Sequence, residues 1–162
     1  MSPKKGTSFS LHQALRHAHA TNNRINAYLI ENLPDEAWRA SPPDGKGRDI
    51  ASIAAHIHNV RVMWLKAMGA TTLPAKLDGE SVTKQGVLKA LEASSQALES
   101  HLMAAMEGDG RIKGFKPDVG SFLAYLIAHD AHHRGQITML ARQTGYAVSQ
   151  GTMFGLWEWG TR

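Results

Sequence analysis

The chain has 162 residues, of which 43% are hydrophobic and 20% are charged, so one soluble globular domain over residues 1–162 is predicted and a disordered chain is excluded. The 18 lysines and arginines exceed the 14 aspartates and glutamates to give a net charge of +4, but they cluster only at Lys4–Lys5 and Arg111–Lys116, which argues against a nucleic-acid partner. The chain contains no cysteine, which excludes disulfides, thiolate zinc sites and a cysteine nucleophile of its own.

Four segments show helical periodicity and no segment of comparable length alternates like a strand, so the predicted fold class is all-α. A first helix is predicted over Leu11–Asn32, followed by a loop rich in proline and glycine at Ser41–Arg48. A second helix is predicted over about Asp49–Met68. Its inward face is predicted to contain Ile53, His56, Val60, Met63 and Ala67.

The second half of the chain predicts two more helices. A third helix is expected over about Ser81–Gly108, and a long surface connection follows at Gly108–Gly120. The tail Ala147–Trp159 is too apolar for a disordered end and is predicted to pack over the helices or to form a subunit contact. The fourth helix is expected over about Ser121–Gly145, with one face formed by Phe122, Leu126, His129, His133, Ile137 and Leu140.

The sequence shows no sign of membrane insertion or export. No window approaches the roughly 20 consecutive apolar residues that a membrane span requires. The leader Met1–Ser8 lacks the apolar core of a secretory signal. A cytoplasmic protein without a membrane partner is therefore predicted.

Histidines are the unusual component of the sequence, and two of them have the spacing of metal ligands. His129 and His133 lie four residues apart on a predicted helix, so their rings project from successive turns of one face. The second helix offers His56 and His58, which point in nearly opposite directions, and His56 shares the predicted inward face. Three neutral imidazoles with a fourth position open are typical of a catalytic site for Zn²⁺, Ni²⁺, Fe²⁺ or Cu²⁺.

A different interpretation is that these three histidines are core residues, hydrogen-bonded to the backbone or to Tyr28 and Tyr125. For His132, helix packing, a hydrogen bond to the site and a dimer contact all stay open. Asp130 and Arg134 are expected to lie at a solvated helix edge. The alternative for Asp130 is that its carboxylate orients a metal-bound imidazole. The remaining histidines are expected to face solvent or to pack peripherally: His12, His17, His19 and His101.

Two segments resemble a known family. The strings AHIHNVRVMWL at Ala55–Leu65 and AHDAHHRGQITMLARQTG at Ala128–Gly145 are similar to those of the DinB/YfiT-like family of metalloenzymes, with HxxxHRGQ as the most characteristic pattern. Looser similarity includes the LPDEAW turn at Leu33–Trp38 and the aromatic tail. The resemblance implies a four-helix bundle with up-down-down-up topology, homodimerisation, and a divalent metal ion bound by His56, His129 and His133.

The resemblance also implies a reaction class. Relatives include thiol-dependent S-transferases and a maleylpyruvate isomerase, so the expected function is metal-dependent activation of a low-molecular-weight thiol, or of water, for transfer to or hydrolysis of a small molecule. Because the chain has no cysteine, the thiol would be a cosubstrate, and Arg111–Lys116 is one candidate docking site for an acidic thiol. The alternatives are a non-catalytic, stress-related binding bundle that the metal stabilises, and a helical interaction module.

Overall fold

The computed structural model describes residues 9–162, and this part of the chain is all-helical, as predicted. The leader at residues 1–8, with Lys4 and Lys5, lies outside the described residues. Within the described part there is no strand, and no helix is both long and apolar enough to cross a membrane. The helices are α1 (Leu11–Glu31), a short 3₁₀ turn (Asp35–Ala37), α2 (Ile50–Met68), α3 (Lys84–Glu107), α4 (Val119–Gln143) and α5 (Gln150–Gly155).

Each α-helix begins at a polar residue whose side chain accepts a hydrogen bond from the backbone N–H three residues later. These residues are Ser10, Asp49, Thr83, Asp118 and Ser149. Such a cap contributes about 1 kcal/mol by satisfying a backbone donor that has no partner within the helix. Caps at Thr83 and Asp118 explain why α3 and α4 begin at Lys84 and Val119 rather than at the predicted Ser81 and Ser121.

The four long helices pack so that α1 and α2 each contact both α3 and α4. Two apolar clusters fill the interior: one includes Leu29, Ile57 and Ile137, and the other includes Leu65 and Phe122. Between these clusters every long helix contributes buried polar residues. They include His19, Asn22, Asn23 and Asn26 from α1, His58 and Arg61 from α2, Ser94 and Ser95 from α3, and Asp130 and His133 from α4.

The predicted inward face of α2 is wrong in part. Met63 is 47% exposed and Ala67 is exposed, whereas His58 and Arg61 are buried. The hydropathy pattern misplaced this face because the buried polar side chains are hydrogen-bonded in the interior. For His58, the two ring nitrogens lie 3.1 Å from Ser94 Oγ and 2.9 Å from the Ala75 carbonyl oxygen. Buried polar groups are tolerated when they are hydrogen-bonded in this way.

The expectation for His19 is also wrong, because its ring is buried and its Nε2 lies 3.0 Å from the Ser95 carbonyl oxygen. In the tail, Phe154 is 64% exposed and Trp157 is 80% exposed, so these two side chains do not pack over the helices as predicted. The alternative of a subunit contact stays a prediction. Other residues of the tail do pack over the helices: Val148 and Leu156 contact the apolar core, and the guanidinium of Arg162 lies 3.8 Å from the centre of the Tyr28 ring.

Burial of His58 predicts a dependence of stability on pH. Burial lowers the pKa of His58 although its hydrogen bonds to backbone groups oppose the shift. Protonation therefore favours the unfolded chain, so the free energy of unfolding is highest above about pH 6.5 and falls as the pH is lowered from there through the folded-state pKa. In urea titrations with a chelator present, His58→Gln should lose less stability than the wild type between about pH 7.5 and about pH 5.5.

The matched control is His12→Gln, which changes an exposed histidine of α1. It should lose stability on acidification as the wild type does. An equal loss for His58→Gln and the wild type would contradict the assignment of this pH dependence to His58.

Candidate metal centre

The buried polar residues between the two apolar clusters form a polar layer. Three histidines from two helices lie together at one side of this layer. His56 comes from α2, and His129 and His133 come from α4, and their ligand nitrogens all lie within 4.8 Å of one another. The ring centres are 5.5, 4.8 and 4.5 Å apart. The four-residue spacing on α4 stacks two rings on one face, and the packing of α2 against α4 brings the third ring beside them.

Hydrogen bonds to the outer nitrogens orient both α4 rings. The Nδ1 of His129 lies 3.3 Å from Asp130 Oδ1, and the Nδ1 of His133 lies 2.7 Å from Gln136 Oε1. Because a carboxylate and an amide oxygen can only accept, both Nδ1 atoms are the donors. In the neutral rings this leaves Nε2 unprotonated on both, with its lone pair free for a ligand.

The two free nitrogens face each other, since His133 Nε2 lies 3.1 Å from His129 Nε2. Two lone pairs at this distance repel unless a cation lies between them. Tetrahedral zinc with Zn–N bonds of about 2.0–2.1 Å holds its nitrogens about 3.3–3.4 Å apart. The α4 pair is therefore close to the spacing that a metal ion requires, and the ligand nitrogen of His56 lies within 4.8 Å of both.

The interpretation of these rings as hydrogen-bonded core histidines is not supported by their partners. Among residues 9–162, no hydrogen bond joins any of the three rings to Tyr28, Tyr125 or a backbone group. The ring of Tyr125 instead packs 6.2 Å from that of His129. The outer partners are the side chains of Asp130 and Gln136.

The electrostatic surroundings of His56 and His133 favour the neutral ring that metal ligation needs. Burial, the charge of Arg48 and the neighbouring histidines lower the pKa of His56 to about 4. Burial also lowers the pKa of His133, although its hydrogen bond with Gln136 opposes the shift. At neutral pH both rings are therefore uncharged, with one ring nitrogen able to bind a cation.

The position of Asp130 in the sequence had indicated a solvated helix edge, and this expectation is wrong. Asp130 is 1% exposed, and its Oδ2 accepts hydrogen bonds from Asn22, Asn26 and Arg61 at 2.8, 2.7 and 2.9 Å. Burial alone would raise the pKa of the Asp130 carboxyl, but the charge of Arg61 and the hydrogen bonds that the carboxyl accepts outweigh it and hold this pKa well below its ordinary value. The carboxylate therefore stays charged and accepts a hydrogen bond from the Nδ1–H of His129.

Sequence reasoning missed the residues that hold Asp130. Arg61 is buried and also donates to Asn23 Oδ1 at 2.7 Å, while Arg134 donates to the Oδ1 atoms of Asn22 and Asn26. Arg134 is thus a second residue wrongly expected at a solvated edge. The available signal was a pair of asparagines four residues apart in the apolar face of α1.

Two depressions flank the histidines. A groove of about 860 Å³ is lined by Gln136 and His132 of α4 and by the Ser41–Arg48 loop, and a smaller one of about 260 Å³ is lined by His56. The ring of His132 lies 5.0 Å from that of His133 but outside the cluster. Residues of the basic stretch Arg111–Lys116 line a different depression, beside His101.

The buried pair of Asp130 and Arg61 predicts a large effect of Asp130→Asn. The substitution keeps the shape of the side chain but leaves Arg61 uncompensated in the interior, so the free energy of unfolding should fall by about 3 kcal/mol or more. In the fraction that remains folded, zinc affinity should fall about 10- to 100-fold because His129 loses its charged acceptor. Urea denaturation and a competitive zinc titration measure the two effects.

Asp118→Asn is the matched control, since asparagine caps a helix about as well as aspartate and Asp118 caps the same helix. It should leave both quantities close to the wild-type values. Wild-type zinc affinity in Asp130→Asn would show that the carboxylate does not orient the ligand.

Comparison with protein-family models identifies the family of the chain. The model of the DinB family matches residues 1–159, which is nearly the whole chain and includes all three histidines. No curated protein and no solved structure matches the chain significantly. On the strength of the family match, the chain belongs to the DinB family.

Proposed function

We propose that this protein is a metal-dependent enzyme that activates a thiol cosubstrate or water for transfer to, or hydrolysis of, a small molecule. The observation that supports this most directly is that ligand nitrogens of His56, His129 and His133 all lie within 4.8 Å of one another. Three imidazoles leave a position for an exogenous ligand, as in catalytic rather than structural sites. Zn²⁺, Ni²⁺ and Fe²⁺ all accept such a set.

When bound, a divalent cation supplies Lewis acidity that lowers the pKa of a thiol or water beside it. The residues of the chain bind this cation and orient its ligands. His56, His129 and His133 hold the ion, and Asp130 and Gln136 fix the orientation of the two α4 rings. The chain has no cysteine, so a thiol nucleophile comes from a cosubstrate.

The proposed scaffold is a four-helix bundle with up-down-down-up topology. Contacts between Arg16 and Glu99 and between Asn23 and Glu92 run in opposite directions along α1 and α3. Along α2 and α4, His56 lies beside His133 and Trp64 beside Phe122, which again indicates opposite directions. This arrangement supports a site built between two antiparallel helices.

We further propose a cytoplasmic homodimer, with the exposed aromatic side chains of the tail as apolar surface for the contact.

Metal binding is the first test of this function. Protein purified without an affinity tag should bind one equivalent of Zn²⁺ or Ni²⁺ in an isothermal titration, and His129→Ala should abolish this binding because two imidazoles remain. His132→Ala is the matched control: it removes an exposed histidine of the same helix turn that lies outside the cluster, and it should bind as the wild type does. Equal binding by His129→Ala and the wild type would contradict the proposed ligand set.

A second candidate function, a non-catalytic bundle that a metal stabilises, is favoured by one observation. The ligand His129 is hydrogen-bonded to Asp130, whose other partners lie on α1 and α2, so a bound ion would reinforce contacts among three helices.

Removal of metal separates the two candidates when it is combined with an activity assay. A ligand at about a thousand times its Kd stabilises the folded state by about 4 kcal/mol, which for a chain of this size raises Tm by about 8–16 °C. A chelator should therefore lower Tm by about this amount in the wild type and not in His129→Ala. The enzyme proposal additionally requires metal-dependent consumption of a small electrophile in the presence of a low-molecular-weight thiol or water, and a thermal effect without any turnover favours the non-catalytic bundle.

A further inference from the structure

The groove beside the histidines has a one-sided charge. Its lining contains the basic side chains of Lys46 and Arg48 and no carboxylate. The nearby carboxylates lie outside this lining: Asp44 accepts the backbone N–H of Lys46, Asp49 caps α2 and accepts from Arg39, and Glu80 lines the smaller depression. The positive charge of the groove is therefore not neutralised by a neighbouring acid in its lining.

The groove adjoins the candidate metal centre, although none of the three histidines lines it. Gln136 lines it and also binds the outer nitrogen of His133 at 2.7 Å. Arg48 lines both the groove and the smaller depression that contains His56, and its charge contributes to the lowered pKa of His56. A molecule in the groove can thus contact Arg48 at one end and lie beside the histidine cluster.

The shape of the groove suits a small molecule with an apolar part. Its volume of about 860 Å³ is within the range of roughly 300–1,000 Å³ that is usual for small-molecule sites. Ile53, Met139 and Leu140 supply apolar lining. Gly47 adopts a φ of 105°, a conformation that favours glycine, and this bend of the loop lies between the two basic residues.

From these observations we infer that the groove binds the substrate or cosubstrate of this site, and that this ligand is an anionic small molecule whose carboxylate or phosphate group is held by Arg48 and Lys46. The inference rests on the proposed function for the role of the ligand, but not for its binding. A guanidinium matches carboxylate and phosphate oxygens with two parallel hydrogen bonds. The basic stretch Arg111–Lys116 does not serve this purpose, because Arg111 and Lys113 line a separate depression.

The test compares anionic and neutral probes on the zinc-loaded protein by isothermal titration. Mercaptosuccinate is the anionic thiol and thioglycerol is the neutral thiol. Arg48→Gln should weaken mercaptosuccinate binding about tenfold, which corresponds to about 1.4 kcal/mol, and should leave thioglycerol binding unchanged. Lys46→Gln should have a smaller effect in the same direction, and Arg48→Lys should fall between the wild type and Arg48→Gln because it keeps the charge without the fork.

Lys113→Gln is the matched control, since it removes the same charge from the other basic loop. It should bind mercaptosuccinate as the wild type does. If Lys113→Gln weakens binding as much as Arg48→Gln, the effect is one of overall charge and the assignment of the groove is overturned. Equal binding of mercaptosuccinate by Arg48→Gln and the wild type overturns it as well.

A second arm separates failure of the groove from failure of the metal site. Succinate and inorganic phosphate are titrated into the metal-free protein, where neither probe has a thiol and no metal takes part. Binding of either probe that Arg48→Gln weakens supports the groove even if zinc never binds, and the stronger probe identifies a carboxylate or a phosphate as the preferred anion. Absence of binding by both probes and by mercaptosuccinate overturns the inference, while zinc binding by itself bears only on the proposed function.

Discussion

The buried carboxylate of Asp130 is the interaction on which the rest of this structure depends. Its two oxygens accept from α1 through Asn22 and Asn26, from α2 through Arg61, and from His129 of its own helix. An isolated charge in such a place would cost several kcal/mol, so each of these partners is needed to keep it ionised. The same carboxylate that joins three helices therefore also determines which nitrogen of His129 is free.

This coupling explains why the polar layer and the histidine cluster occupy the same level of the molecule. The apolar clusters above and below hold the helices at fixed distances, and the polar layer sets their rotation, because a rotated helix would leave Arg61 or Asp130 without a partner. The geometry of His56, His129 and His133 follows from that rotation. A site on rigid, packed helices with hydrogen-bonded outer nitrogens is the arrangement that holds metal ligands in place.

Much of the fold could be predicted from the sequence, because helical periodicity and capping residues are local signals. The cluster was predicted from spacing on α4 and from direction on α2, yet the direction was derived from an inward face that placed Met63 inside and His58 outside. His56 lies near the other two rings because it is at the edge of α2 that faces α4, while His58 is buried towards α3. The family resemblance pointed to the same three residues without that error.

Tertiary pairing is what the sequence could not supply. Arg61, Asp130 and Arg134 are charged residues on helices, and such residues are expected to be solvated until their partners on other helices are known. The burial of a charge depends on groups far away in the chain: Arg61 and Asp130 are 69 residues apart, and Arg134 and Asn22 are 112 apart. The groove could not be predicted for the same reason. Lys46 and Arg48 lie in a loop whose sequence indicated only turns, and packing of this loop against α4 places them beside Gln136.

X-ray absorption spectroscopy at the zinc edge, on untagged protein loaded with one equivalent of Zn²⁺, counts the imidazole ligands of the bound ion. We expect three imidazole nitrogens at about 2.0–2.1 Å with one further light ligand, and two imidazoles in His56→Ala. A spectrum with fewer than three imidazoles in the wild type, or one that His56→Ala leaves unchanged, would contradict the three-histidine site.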